Sequence, residues 1–143
     1  MADIIVIGSF VMDAVATMDK YPQAGETVLG KDIYFYPGGK GINQCVTVAR
    51  MGGKSEMAGS LGNDANGKVF IEIMDKESIK HEKVFIFDKP TAVAQIQITP
   101  TDKTEYALYL RLTICSVLKN YLPRTTCSSP EKSLFFSLKC AVT

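Results

Sequence analysis

Gly38-Gly39-Lys40-Gly41-Ile42-Asn43-Gln44 sets two adjacent glycines, a lysine and a third glycine directly before a run with helical spacing. Apolar residues follow at Ile42, Cys45, Val46 and Ala49, the i, i+3, i+4, i+7 pattern of one helix face, and Gly52-Gly53 ends the run. A glycine-rich turn therefore opens into a helix, whose first backbone N–H groups are unpaired and sit at the positive end of the helix dipole. Glycines let a ligand approach such a backbone closely, which suits an oxygen-rich molecule. Neither standard phosphate loop is present. Gly53-Lys54-Ser55 supplies the end of a P-loop, but Val48 stands in place of its first glycine. Around Gly39-Lys40-Gly41, Tyr34 precedes and Gly41 replaces the hydroxyl residue, and the dinucleotide pattern G-x-G-x-x-G fails at Gln44.

Upstream, Ile4 to Ser9 is a short apolar run ending in Gly8-Ser9, the pattern of a central parallel strand buried on both faces. Tyr21-Pro22-Gln23-Ala24-Gly25 separates two β-rich pieces, Asp13 to Met18 and Thr27 to Tyr36, expected outside the main sheet. Downstream, Ser55 to Leu61 reads as a second core strand. Asp64 can cap a helix whose inward face would carry Val69, Phe70 and Ile73, and Val84 to Phe87 is a third core strand. Strand, helix, strand, helix, strand builds a parallel sheet. Ala92 to Thr99 then alternates with period two, Pro100-Thr101-Asp102-Lys103 is a turn, and Glu105 to Leu110 returns as a hairpin partner. The expected architecture is α/β: a partial parallel αβα core (residues 1–12 and 38–90) plus a small sheet of four strands (13–37 and 91–110).

The 143 residues are 46% hydrophobic and 22% charged with net charge +1, which excludes collagen, coiled coil and wholesale disorder. The near-neutral sum offers no broad attraction to nucleic acid or an anionic membrane. It hides two unlike parts, 11 basic against 14 acidic residues in 1–110, and 5 basic against 1 acidic in 111–143. All 11 glycines lie between Gly8 and Gly67. Residues 111–143, interrupted by Pro123 and Pro130, are expected to form a poorly ordered tail foreign to the preceding fold. No run approaches the roughly 18 apolar residues of a membrane span, and Asp3 stands where a signal peptide would be basic, so a cytoplasmic location is expected. Cys45, Cys115, Cys127 and Cys140 form no C-x-x-C pair and His81 is the single histidine, so no zinc site and only reduced, structural thiols are expected.

Asp13 lies just past the carboxyl end of the first strand, the edge at which open α/β sheets bind ligands. Its carboxylate can accept hydrogen bonds from neighbouring hydroxyls, Lys40 can donate to a sugar oxygen, and the Asn43 amide can do both. Singly, each has a plainer reading as a turn former or a solvated side chain; together they describe a polyol pocket.

The sequence resembles the ribokinase branch of the PfkB carbohydrate kinase family from about Ile4 to Leu110. The family's N-terminal signature is matched by Gly38-Gly39-Lys40-Gly41-Ile42-Asn43, then Gly52, then Gly62; Cys45 departs from its usual Ser, Thr or Ala. Ile5 to Asp13, Gly25-Glu26-Thr27 and Gly59 to Gly67 are also similar to family segments. The resemblance implies that Asp13, Gly39, Lys40, Gly41 and Asn43 contact the sugar, that the small sheet is a lid over it, and that two lids pair in a homodimer. It implies ATP as phosphate donor, with magnesium and a monovalent cation, potassium. Val11 departs from an asparagine that many ribokinases use to hydrogen-bond ribose, which opens the choice of sugar.

Family members run to about twice this length, and their later part carries a Gly-Ala-Gly-Asp segment with the catalytic base and the anion hole. No glycine follows Gly67, so that segment is absent from this sequence. The expected activity, ATP-dependent phosphorylation of ribose or a similar sugar, is therefore not expected of this chain alone, and no catalytic residue is assigned. A non-catalytic sugar-binding or lid-dimerisation module, and a nonfunctional truncated product, are the alternatives.

Overall fold

The computed structural model describes residues 2–100 in full and the backbone of residues 104–109 and 141–142. Two four-stranded sheets organise these residues. In the first, β1 (Ile4–Ile7) pairs in parallel with β4 (Ser55–Gly62), and β4 pairs in parallel with β5 (Lys80–Phe87). β8 (Ala141–Val142) adds two antiparallel residues against Ile4 and Ile5, giving the order β5-β4-β1-β8. The second has the order β3-β2-β6-β7, from β2 (Val11–Thr17), β3 (Asp32–Gly38), β6 (Val93–Ile98) and β7 (Thr104–Tyr109). The expected parallel core with a separate small sheet is present.

The helices α1 (Lys40–Arg50) and α2 (Ala65–Lys76) cover one face of the parallel sheet. Residues paired across parallel strands share a face, so Val6 and Met57 point together, and Leu61 joins them two pleats on. Against them pack Ile42 and Cys45 from α1 and Phe70 and Met74 from α2, all buried. Phe10, on the connection between the sheets, meets Phe70 at 5.2 Å between ring centroids. Two of the three expected layers are thus seen among the described residues.

Four expectations need correction. The first strand stops at Ile7 and is not buried on both faces: Ile5 and Ile7 point away from the helices and are each 40% exposed. The strand buried throughout is β4, which lies between β5 and β1. β3 starts at Asp32 rather than Thr27, since its partner β2 ends at Thr17, opposite Asp32. The inward stripe of α2 is Gly67, Phe70 and Met74, with Val69 exposed. Gly67 fixes that phase, because a side chain there would strike the Gly62 carbonyl.

The smaller differences extend elements. β2 begins at Val11 and β5 at Lys80, ahead of the expected starts. Asp64 caps α2 as expected, its Oδ1 accepting from the Gly67 N–H at 2.8 Å. Cys115, Cys127 and all of the tail but Ala141–Val142 lie outside the described residues. No helix among the described residues is long and apolar enough to cross a membrane.

Candidate functional site

The chain leaves β1 at Ile7, passes through Gly8-Ser9-Phe10, and enters the small sheet at Val11. This connection, at the carboxyl end of a core strand, is where the start of α1 is pressed. Gly39 has φ +110°, and a Cβ there would stand 2.5 Å from the Ser9 carbonyl oxygen and 2.9 Å from the Val11 nitrogen. A Cβ on Gly41 would stand 2.7 Å from both the Gly8 Cα and the Met57 Cε. Only glycine admits this approach of helix to loop. Gly39 and Gly41 therefore have a packing role beyond the ligand access expected of a glycine turn.

The register of the small sheet places Asp13 beside this turn. Asp13 pairs with Tyr36 across β2 and β3, and Val11 pairs with Gly38. The Asp13 carboxylate leans along the strand over Gly38, where a Cβ would meet its Oδ2 at 2.8 Å. Partial burial holds the Asp13 carboxyl above its usual range. Lys40 and Asn43 stand exposed on the first turn of α1. Asn43 gives its backbone N–H to the Gly39 carbonyl at 3.1 Å. A half-buried carboxylate lies over the glycine turn, and an exposed ammonium and amide follow it on the first turn of α1, while Val11, Ala92 and Ala94 form a buried apolar cluster in the small sheet.

Two features escaped the sequence reading. Tyr36 flanks Asp13 on the same sheet face, which only the register reveals. Asp64, read simply as a helix cap, also accepts from the Thr91 hydroxyl at 2.7 Å and the Thr91 N–H at 2.8 Å, while the Thr91 hydroxyl accepts from the Gly62 N–H at 3.0 Å. These bonds tie the end of β4, the start of α2 and the entrance to β6 together.

Residues 1–115 match the pattern of the pfkB family carbohydrate kinases. The chain belongs to the pfkB family. It is 38% identical over 103 residues to the ribokinase of Lactococcus lactis, covering 71% of this chain and 34% of that protein. It is 45% identical over 80 residues to the ribokinase of Bacillus subtilis, covering 56% and 27%. Among solved structures, the Thermotoga maritima ribokinase superposes with a TM-score of 0.68 at 31% identity, covering 76% of this chain and 36% of that one. Arabidopsis thaliana ribokinase, solved with ribose and ATP, superposes with a TM-score of 0.69 at 27% identity over the same shares. The chain therefore spans about a third of the length of these pfkB relatives.

Among the described residues no three His, Cys, Asp or Glu side chains come together to hold a metal.

Proposed function

We propose that this chain provides the sugar-binding side of a ribokinase-type kinase, which passes the γ-phosphate of ATP to a hydroxyl of ribose or a similar sugar. The reading rests on one observation: the Asp13 carboxylate leans over Gly38 at the glycine turn that opens α1. Asp13 accepts from sugar hydroxyls, Lys40 and Asn43 reach the same ligand from α1, and Gly39 and Gly41 hold helix and loop close enough for both to do so. ATP is the proposed co-substrate. Its site and the base that removes the hydroxyl proton belong to the part of the fold that this sequence does not carry, so the chain alone binds sugar without turnover. The reading places it in the cytoplasm, where its co-substrate is abundant.

Calorimetric titration of the full chain with ribose tests this. Binding is expected, and Asp13→Ala abolishes it. Affinity weakens as pH falls through a carboxyl titration lying above the usual 3.8, because only the charged form accepts two hydroxyl bonds. With excess ATP no ADP release is expected. Ribose-dependent turnover that disappears in Asp13→Ala would overturn the inactive reading, and absence of ribose binding would overturn the sugar site.

A second reading, a homodimer through the small sheet, is favoured by Ile33 and Phe35. Both are exposed on the face opposite Asp13, with Leu29 beside β3. The mass in solution decides it: Phe35→Lys should convert a dimer to monomer.

A further inference from the structure

We propose that Tyr36 is a specificity-determining contact of the sugar subsite, forming an aromatic wall against the C–H face of the bound sugar while Asp13 takes its hydroxyls. This rests on the sugar-site reading above and adds a residue to it.

The antiparallel register carries the inference. Asp13 and Tyr36 are directly opposed, as are Val11 and Gly38, and Val15 and Tyr34. Opposed residues emerge on the same face with Cβ atoms about 5 Å apart. One face of the small sheet therefore presents, in order, Gly38, Asp13 with Tyr36, and Val15 with Tyr34. Asp13 extends toward Gly38, and Tyr36 stands opposite Asp13 on the neighbouring strand. In parallel register, β6 adds Ala94 beside Asp13 and Ile96 beside Val15, an apolar floor on the same face.

Tyr36 is 53% exposed and Tyr34 47%, with ring centroids 6.2 Å apart and planes at 30°. The Tyr34 ring is the aromatic neighbour of Tyr36, and about half of the Tyr36 surface remains open to solvent. A large aromatic left half in water beside a partly dehydrated carboxylate is poor use of apolar surface in a stable sheet. It suits a ligand with both characters. A sugar ring offers hydroxyls at its rim and apolar C–H groups on its face, matching Asp13 and Tyr36 respectively. Gly38 lacks a side chain between them and the helix, so a sugar resting on the wall can also reach Lys40 and Asn43.

The test uses ribose titrations of the full chain in the wild type, Tyr36→Ala, Tyr36→Phe and Tyr34→Ala, with thermal unfolding measured in parallel. The near-ultraviolet circular dichroism is followed as well, since the chain has six tyrosines and no tryptophan. Tyr36→Ala should weaken ribose binding about tenfold, and Tyr36→Phe should stay within about twofold because the ring face remains. Tyr34→Ala, two residues farther from Asp13, removes the same kind of exposed ring and should weaken binding much less than Tyr36→Ala. Ribose should perturb the tyrosine band of the wild type, and Tyr36→Phe should lose most of that perturbation while keeping its affinity. A residue that merely supported the sheet would not produce this last split.

Wild-type affinity in Tyr36→Ala, or an undiminished tyrosine signal in Tyr36→Phe, overturns the wall while leaving the sugar site standing. Ribose binding that survives Asp13→Ala, or no ribose binding to the wild type, overturns the sugar site and the wall with it.

Discussion

At the scale of single residues, Asp64 shows how a side chain read correctly for one role can carry another. Its place before α2 was legible, because a carboxylate three residues before a free N–H is a local signal. Its bonds to Thr91 were not, since nothing in the local pattern joins two residues 27 positions apart. Burial acts to raise the Asp64 carboxyl, but the bonds from Thr91 and Gly67 outweigh it and hold the group below its usual range. Asp64→Asn keeps the size but turns one acceptor into a donor facing donors, so it should cost about 2 kcal/mol, read from urea unfolding. The sign with pH follows from the lowered value. The stabilisation is complete above the unfolded-state pKa of about 3.9 and is lost as pH falls through the lower folded one. The variant should lack that part of the acid sensitivity, and an unchanged acid profile would mean that the Thr91 bonds do not hold the charge.

At the scale of elements, α1 was legible in both phase and start, because its apolar positions repeat at helical spacing and a glycine turn precedes it. The use of the glycines was not legible, because a close approach depends on what lies opposite. Gly39 and Gly52 look alike in sequence, and both have positive φ, +110° and +85°. They differ in surroundings: a Cβ on Gly52 meets nothing within 4 Å, whereas one on Gly39 strikes the Ser9 carbonyl and the Val11 nitrogen. Gly52→Ala should therefore cost only backbone strain, about 1–2 kcal/mol. Gly39→Ala adds a collision with fixed backbone and should cost about 2–4 kcal/mol and displace the start of α1 from the loop. Chemical denaturation of the two variants compares them directly, and equal losses would mean that the loop yields. The start of β3 was misread for a related reason: Thr27 to Lys31 suit a strand by composition, but β2 ends before it can pair with them.

At the scale of the whole molecule, the alternation of strands and helices gave the parallel sheet, and the period-two run after Ala92 gave the second one. Burial of β1 was not legible, since an unbroken apolar run announces two covered faces without saying what covers them. Here α1 and α2 lie on the Val6 side, while Ile5 and Ile7 remain 40% exposed on the other. Glu56 and Ala58 share that second face by register, and Glu56 is buried there beside Lys83, to which it is ion-paired. Among the described residues, Ile5 and Ile7 are thus the open apolar positions of this second face. An apolar strand with one open face favours association of like molecules. Ile7→Lys should then lower self-association in sedimentation at high concentration. Its unfolding free energy should change by less than about 1 kcal/mol, because a half-open position lets the lysine extend its charge into water along an apolar stem. A large loss of stability would show instead that Ile7 is a core residue, and that the sheet is closed on both sides in solution.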